Sequence, residues 1–300
     1  MTPTRLEGQE RPSAAATQEA FAYCRRLAGS HYENFTVGSW LLPRGALQHM
    51  HNIYAYCRTV DDLGDEAAGD RLALLAQREE DLRRCYTGTP QHPVLLALQQ
   101  TISQYDIPVE PFLKLIEANR IDQRTVRHPT CDDLLHYCDH SANPVGHLVL
   151  YIFGYRDRER QALADCTCTA LQLTNFWQDI ATDIKKGRVY IPLEDMEFFG
   201  YSQEELRLGV VNRSFVALLR FQIARTRDLF RRGLELVPMV DGRLRLDLKL
   251  FTMGGLRVLD AIERIDYDIF RRRPALARWE KGWLMVRGLI PVLPKVRRGA

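Results

Sequence analysis

Apolar residues recur every three or four positions along most of the chain, the spacing that places them on one face of an α-helix. No series of alternating apolar and polar residues joined by Asn-Gly or Asp-Gly turns is present, so a mainly β fold is excluded. The sequence therefore predicts an all-α protein, with helices over residues 20–28, 47–62, 71–85, 93–105, 111–119, 132–138, 143–153, 159–183, 213–235 and 249–270.

Capping signals and helix breakers divide this helical pattern. Thr130, followed three residues later by Asp133, is typical of a helix start. Residues 88–90 and 106–108 each contain a proline that interrupts the apolar spacing. We predict one helical domain over residues 19–275, a flexible N-terminal tail over 1–18 and a basic C-terminal segment over 276–300.

The composition is that of a soluble globular protein, since 46% of the 300 residues are hydrophobic and 26% are charged. The seven cysteines are odd in number and form no Cys-x-x-Cys pair, which argues against a disulfide framework or a zinc site and favours a reducing cytoplasm. The first 17 residues are too polar for a secretory signal. No apolar run reaches the ~18 residues that a membrane-spanning helix needs.

Charge is unevenly distributed along the chain. The formal net charge is +3, but residues 271–300 contain nine Lys or Arg and one acid, which leaves the first 270 residues at about −5. With Trp279 and Trp283, this basic end favours peripheral contact with the anionic inner face of a membrane. The alternative is a solvated tail with one docking helix. We expect a cytoplasmic protein with this peripheral contact.

Two acidic clusters interrupt the apolar pattern. In the first acidic motif, residues 61–66, Asp61 and Asp65 lie four positions apart, and a second acidic pair follows one position later. Residues four apart share one face of a helix, so these like charges repel one another unless cations neutralise them. Arg58 and Tyr54 continue the same face one and two turns earlier, and arginine is well suited to phosphate. A solvated acidic helix end is the alternative.

The second acidic motif, residues 175–183, repeats this spacing. Asn175, Asp179 and Asp183 lie four positions apart, and Gln172 extends the polar face backward. The intervening residues are mostly apolar, so this helix is expected to be buried on its other sides, where an unpaired carboxylate stack would be costly. The alternative is an ordinary helix that exposes its polar face.

Together the two motifs predict a site for Mg²⁺ and a diphosphate, because Mg²⁺ takes oxygen ligands and is commonly shared between carboxylates and substrate phosphates. The loop after the second motif presents Lys186, Arg188 and Tyr190. These groups could stabilise the charge that grows on a departing diphosphate. A solvated basic turn is the alternative.

Other signals are weaker. His31 is a candidate substrate contact or a surface residue, and His136, His140 and His147 lack ligand spacing and are predicted to be structural. The glycine pair 254–255 inside a helical pattern costs ~1 kcal/mol per glycine relative to alanine, which suggests close approach of the backbone to a neighbour. No Gly-x-Gly-x-x-Gly follows a strand, so no nicotinamide or flavin site is predicted. Nothing predicts nucleic-acid binding.

The chain resembles the squalene/phytoene synthase family of head-to-head prenyltransferases over about residues 20–275. The resemblance is strongest over residues 53–62, which include Tyr54, Arg58 and Asp61, and over residues 171–192, which span the second acidic motif and the basic loop. It implies an all-α isoprenoid synthase fold with helices around a central cavity. It also implies an isoprenoid diphosphate substrate and two or three Mg²⁺ ions.

The resemblance assigns roles to individual positions. The residues that match metal and diphosphate ligands of the family are Asp61, Asp65, Asn175, Asp179 and Asp183. The residues that match its other substrate contacts are His31, Tyr54, Arg58 and Gln172. Lys186 and Arg188 join the substrate-binding set from the basic loop, and Tyr190 joins Asp61, Asp65, Asp179 and Asp183 as a candidate catalytic residue.

Two departures from the family pattern bear on the reaction. Gln178 occupies a position where the family often has Arg, and Gly255 occupies one where many carotenoid-forming members have Tyr. Residues 30–43 and 175–179 are most similar to the hopanoid-pathway branch. That branch converts presqualene diphosphate and water to hydroxysqualene with release of diphosphate, and its other pathway enzymes are the candidate protein partners.

Other functions remain open. Within the family, the alternatives are condensation of two farnesyl diphosphates to presqualene diphosphate, or a phytoene-type synthesis. Outside catalysis, the chain could be an assembly protein with the same fold, although such a protein has no reason to keep both acidic motifs. A class I terpene cyclase is disfavoured because the second motif has Asp at its second and third positions rather than Ser or Thr and Glu.

Overall fold

The computed structural model describes residues 13–30 and 44–274. Within these residues the chain forms twelve α-helices and one 3₁₀ helix, and no β-strand apart from an isolated bridge between Arg127 and Val189. The all-α prediction is therefore confirmed. The helices are α1 (Ala14–Ser30), α2 (Arg44–Asp65), α3 (Arg71–Thr87), α4 (Pro93–Tyr105), α5 (Glu110–Arg124), α6 (Cys131–Ser141), α7 (Asn143–Ile152), α8 (Arg158–Lys185), α9 (Leu193–Phe198), α10 (Gln203–Leu208), α11 (Arg213–Gly233), the 3₁₀ helix (Leu234–Met239) and α12 (Gly242–Arg264).

The chain divides into two compact units. The first contains residues up to 123 together with 148–155, and the second contains residues 124–147 together with those from 156 onward. The prediction of one domain over 19–275 stays a prediction. Helix α1 begins at Ala14, so the last residues of the predicted tail are helical. The predicted C-terminal segment, 276–300, lies outside the described residues.

The first unit is organised around α2, which packs against α1, α3 and α4. Ala55, Tyr56 and Val60 are fully buried on α2, and the Tyr56 hydroxyl donates to the Phe112 carbonyl at 2.9 Å. A buried amide, Asn52, donates to the Ala97 carbonyl, which fixes α2 against α4. These two buried hydrogen bonds, together with the apolar packing, hold α2 in one rotational setting.

The second unit is organised around α8, which packs against α6, α11 and α12. Trp177 is fully buried on α8, and its Nε1 donates to Thr226 Oγ1 on α11 at 2.8 Å. Arg227, only 4% exposed, forms ion pairs with Asp260 and Glu263 of α12 at 2.8 and 2.6 Å. Because this buried guanidinium is paired with two carboxylates of α12, it fixes how α11 and α12 are oriented against each other.

Most predicted helices are present with shifted ends. Thr130 and Asp133 form the predicted capping box at the start of α6. The last predicted helix was placed too late, since α12 runs from Gly242 to Arg264 and is followed by turns in which Asp266 and Tyr267 have positive φ. Helices α9 and α10, each six residues long, were missed because periodicity needs a longer window than two turns.

The adjacent glycines of α12 lie in different surroundings. A Cβ at Gly255 would lie 2.3 Å from Cζ of Phe230, a fully buried ring on α11, whereas a Cβ at Gly254 would have no atom within 4 Å. The expected close approach is thus confirmed at Gly255. It occurs where helix α11 packs against α12, and the ring of Phe230 fills the space that a side chain at 255 would need.

We expect these two glycines to respond in opposite ways to alanine. Gly255→Ala should lower the free energy of unfolding by about 1–3 kcal/mol, because the ring of Phe230 has to move within a packed core. Gly254→Ala should leave it unchanged or raise it by up to about 1 kcal/mol, because alanine has the higher helix propensity. Urea unfolding of both variants tests this, and equal effects would contradict the packing at Gly255.

Candidate active site

The first acidic motif lies at the carboxyl end of α2. Asp61, Asp62 and Asp65 belong to its last two turns, and Glu66 follows the helix end. The carboxyl end of a helix carries a partial negative charge, so it disfavours anions in addition to their mutual repulsion. The free protein must therefore compensate this negative charge locally.

Arg58 compensates the outer pair of acids. Its Nη2 lies 2.6 Å from Asp62 Oδ1 and 3.0 Å from Glu66 Oε1, and its Nε is buried without an acceptor. Tyr54, one turn earlier, is partly buried, and burial raises the pKa of its hydroxyl. The predicted polar face of Tyr54, Arg58 and the acids is therefore present on α2, with Arg58 engaged by carboxylates of its own motif.

Asp61 is compensated by a side chain from α5. Asn119, only 7% exposed, donates from Nδ2 to Asp61 Oδ1 at 3.2 Å and to the Leu115 carbonyl at 3.1 Å. One side of the Asp61 carboxyl faces solvent, but the protein packed around its other sides removes hydration. This desolvation, together with repulsion from Asp65, raises the pKa of Asp61 to about 6 despite the hydrogen bond from Asn119.

Gly64 makes this contact between α5 and α2 possible. A Cβ at position 64 would lie 2.1 Å from Asn119 Oδ1, and Gln123 Nε2 donates to the Gly64 carbonyl at 3.0 Å. A side chain at position 64 would therefore displace the Asn119 amide from the place where it donates to Asp61. Asn119 and Gln123 were missed from the sequence. The one local signal was a glycine inside an otherwise helical acidic motif.

The second acidic motif lies on the polar face of α8. Asn175 is exposed, and Gln172, Asp179 and Asp183 are partly buried. The opposite face, with Phe176, Trp177 and Ile180, is buried in the second unit. The polar face predicted from the spacing of this motif is therefore present, on a helix that is rigidly packed behind it.

Asp179 is held by a guanidinium from beyond α12. Arg273 donates from Nε to Asp179 Oδ1 at 2.5 Å and from Nη2 to Oδ2 at 3.0 Å. Hydrogen bonding to Asp179 raises the pKa of Arg273, and the charge of Asp183 adds to this. The Gln178 amide also donates to the Pro274 carbonyl. From the sequence alone, Arg273 was assigned no role beyond its contribution to the basic end.

The basic loop begins where α8 ends. The backbone amides of Lys186 and Arg188 both bond to the Asp183 carbonyl at 2.9 Å, and Gly187 adopts a φ of +78° that favours glycine. Lys186 is exposed and Arg188 is partly buried. The loop is thus tied to the last carboxylate residue of the motif.

Tyr190 belongs to an aromatic stack. Its ring lies 3.8 Å from the ring of Phe176 and nearly parallel to it, at 8°. The rings of His128 and Tyr137 flank Tyr190 at 5.7 and 5.8 Å. Stacking of this kind fixes the ring plane of Tyr190 against α8. A catalytic role for Tyr190 stays a prediction.

The histidines fall into two groups. His31 lies outside the described residues. His136 and His140 contact each other on α6 with ring centres 4.5 Å apart, and His147 Nε2 lies 2.7 Å from Asp165 Oδ1. These contacts satisfy the three histidines within their own helices or with a neighbour, and their structural role remains the prediction.

The chemistry of both motifs fits Mg²⁺. Their donors are carboxylate and amide oxygens, which Mg²⁺ prefers, and each motif already recruits a cationic or donor group to its acids: Arg58 and Asn119 in the first, Arg273 in the second. Over residues 13–30 and 44–274, no three His, Cys, Asp or Glu side chains lie close enough together to form a complete metal site.

Among the same residues, no helix is long and apolar enough to cross a membrane.

Comparison with known proteins identifies the family. The model of the squalene/phytoene synthase family matches residues 22–280. The chain belongs to this family. Its members are prenyltransferase-like enzymes of isoprenoid biosynthesis, and its fold is that of the terpenoid synthases.

Individual members of the squalene/phytoene synthase family are similar over most of the chain. The 15-cis-phytoene synthase of Synechococcus elongatus is 31% identical over 287 residues, which cover 90% of this chain and 93% of the relative. The crystal structure of squalene synthase HpnC from Alicyclobacillus acidocaldarius is 46% identical, with a TM-score of 0.82 over 85% of this chain and 97% of that one. A dehydrosqualene synthase structure is 26% identical, with a TM-score of 0.84 over 91% and 96%.

We expect Asp61→Asn to stabilise this family member in the absence of metal, in a pH-dependent way. The folded pKa of about 6 lies above the value of ~3.9 for an unfolded chain, so the folded state holds the proton more tightly. The stability from this group is full below pH ~4 and is lost as the pH rises to ~6. The advantage of the Asn variant should therefore grow between these values and stay constant above them.

Urea unfolding of the metal-free protein at pH 4, 5, 6 and 7 measures this effect. The gain should be on the order of 1 kcal/mol or less, because solvent on one side of the carboxyl screens the charge. Asp62→Asn is the matched control, since it removes a neighbouring charge that Arg58 already pairs, and it should give no gain. A gain in stability that is equal at all four pH values, or that the control shares, would contradict the expected cost of ionising Asp61 in the folded protein.

Proposed function

We propose that the chain is a Mg²⁺-dependent enzyme that converts presqualene diphosphate and water to hydroxysqualene and diphosphate. The observation that carries this proposal is the presence of two oxygen-rich acidic motifs in a chain that is 46% identical to a squalene synthase structure. The identity to the phytoene synthase of Synechococcus elongatus is lower, at 31%. The residue patterns at 30–43 and 175–179 support the hydroxysqualene-forming branch.

The carbon–oxygen bond of the substrate would break with its electron pair leaving on diphosphate. The cyclopropane ring of the resulting cation would open, and the oxygen of one water would form the new carbon–oxygen bond while its proton passes to solvent or to the diphosphate. Bound Mg²⁺ would neutralise charge on the leaving diphosphate. Exclusion of other water would prevent early capture of the cation.

The residues of the chain would divide this work. Asp61 and Asp65 of the first motif, and Asn175, Asp179 and Asp183 of the second, would hold Mg²⁺. Tyr54, Arg58 and Gln172 continue the same polar faces and would contact the substrate, as would His31, which lies outside the described residues. Lys186 and Arg188 would add positive charge beside Asp183, and Tyr190, whose ring plane is fixed by Phe176, would donate to the diphosphate.

A second reaction has its own support. Curated relatives from Synechococcus elongatus and Thermus thermophilus, 31% and 32% identical, are phytoene synthases, so a head-to-head condensation of two prenyl diphosphates is the alternative. Against the phytoene-type reaction, Gly255 replaces the Tyr found in many carotenoid-forming members. The space beside it is filled by Phe230 rather than by a hydroxyl. A non-catalytic assembly role is the alternative of a different class.

Product analysis separates these reactions. The purified protein with Mg²⁺ should form hydroxysqualene from presqualene diphosphate, and chelation of the metal should abolish the product. Asp61→Asn and Asp179→Asn should each lower turnover by about 10²-fold or more, because each removes a ligand that stabilises developing charge. Asp228→Asn, which changes an exposed acid paired with Arg231 on α11, should leave turnover unchanged.

Three outcomes would redirect the assignment. Presqualene diphosphate formed from farnesyl diphosphate, without hydroxysqualene, would establish the condensation instead. Phytoene formed from geranylgeranyl diphosphate would establish the carotenoid reaction. Loss of both acidic motifs without any change in any assay would favour the assembly role.

We further propose that the basic end binds an anionic membrane surface, near where a C30 hydrocarbon alcohol must be delivered. Its support is the nine Lys or Arg of residues 271–300. The full chain should float with vesicles that contain anionic lipid, and raised salt should release it. A chain truncated after residue 275 should float less. Equal flotation of both chains, or binding to neutral vesicles alone, would contradict this role.

A further inference from the structure

Four residues connect the second acidic motif to the segment after α12: Gln178, Asp179, Arg273 and Pro274. The guanidinium of Arg273 contacts both oxygens of Asp179, and the side-chain amide of the neighbouring Gln178 holds the carbonyl of the neighbouring Pro274. Two adjacent residues of α8 thus bind two adjacent residues of the distant segment. A two-point contact of this kind aligns the guanidinium better than a single ion pair would.

Both oxygens of the Asp179 carboxylate accept hydrogen bonds from Arg273. Arg273 engages it through two parallel N–H donors, the geometry in which arginine binds carboxylates most specifically. Asp179 is the central residue of the stack, with Asn175 and Asp183 four positions away on either side. The carboxylate that the proposed function assigns to Mg²⁺ at the centre of the motif is therefore already paired with the guanidinium of Arg273.

The exposure of the two partners makes the contact reversible. The side chain of Arg273 is 59% exposed and that of Asp179 is 27% exposed. An ion pair with this much solvent around it contributes little to folding stability, so Arg273 can leave without disrupting the core. In contrast, the buried guanidinium of Arg227 is fixed by two carboxylates in the same unit.

Gln178 positions the guanidinium of Arg273 beside Asp179. Its neighbours Phe176, Trp177 and Ile180 are buried, which fixes α8 and directs position 178 by helix geometry. The Gln178 amide donates to a backbone carbonyl, a contact that a positively charged side chain at this position would not make beside Arg273 without repulsion. The glutamine at this position therefore permits the segment carrying Arg273 to dock.

We propose that Arg273 is a resident counter-cation that competes with Mg²⁺ for Asp179, and that Gln178 is the positioning residue that holds it there. Two cations on one carboxylate repel each other, so Mg²⁺ enters the second motif only as Arg273 leaves Asp179. The inference rests on the proposed function for the identity of the metal. It adds that metal entry and release of the segment after α12 are the same event.

Calorimetric titration of the full chain with Mg²⁺, in the absence of diphosphate, tests the competition. Arg273→Gln should bind Mg²⁺ about three- to ten-fold more tightly, the change expected when an exposed bidentate ion pair no longer has to be broken. Arg272→Gln is the matched control, because it removes the same charge from the adjacent exposed residue, and it should change the affinity less than two-fold. Both variants should unfold at the same temperature as the parent.

Gln178→Ala tests the positioning role. It should raise the Mg²⁺ affinity by a smaller factor than Arg273→Gln, because Arg273 remains present but is less well aligned. In the Arg273→Gln background it should have no further effect, since the residue through which Gln178 acts is gone. An equal effect in both backgrounds would show that Gln178 acts independently of Arg273.

Nuclear magnetic resonance follows the release directly. The Nε–H signal that disappears in Arg273→Gln identifies the guanidinium, and Mg²⁺ should shift it toward the position of a solvated arginine without affecting the signal that Arg272→Gln removes. If Arg273→Gln binds Mg²⁺ no more tightly than Arg272→Gln, or if the Nε–H signal does not respond, the competition is wrong.

Asp179→Asn separates this inference from the proposed function. If Asp179→Asn weakens Mg²⁺ binding while Arg273→Gln matches its control, the metal site stands and the competition fails. If Asp179→Asn leaves Mg²⁺ binding unchanged, the metal ligand is wrong, and the competition falls with it.

Discussion

Repulsion between carboxylates stacked four residues apart on a helix is the constraint on which the functional part of this protein depends. Each acidic motif solves it with a group of its own. In the first motif Arg58 pairs two acids and Asn119 donates to Asp61. In the second, Arg273 covers Asp179 with two hydrogen bonds. These contacts allow the chain to fold with both acidic faces intact.

The acidic side chains of both motifs are only partly compensated. Asp61 keeps a raised pKa because desolvation and neighbouring acids outweigh one hydrogen bond from a neutral amide. The pair between Arg273 and Asp179 is exposed enough to be exchanged for another cation. Arg227 shows the opposite case, because its buried positive charge is fully paired by Asp260 and Glu263. An acidic motif that was neutralised as completely would not attract a divalent cation.

The two departures from the family pattern acquire physical meaning in the structure. Gln178, in place of a frequent arginine, holds the backbone next to Arg273, so a guanidinium reaches the motif from elsewhere in the chain. Gly255, in place of a tyrosine, leaves room for the ring of Phe230. Both changes replace a polar or charged side chain on one helix by a contact from another element.

The sequence by itself determined the all-α fold, most of its helices and the acidic faces of α2 and α8, because helical periodicity and four-residue spacing are local properties. Only the tertiary structure decided which groups compensate those faces. Asn119 lies 58 positions from Asp61 and Arg273 lies 94 positions from Asp179. Contacts over such separations depend on how helices pack, through features such as the missing side chain of Gly64, and no local pattern records them.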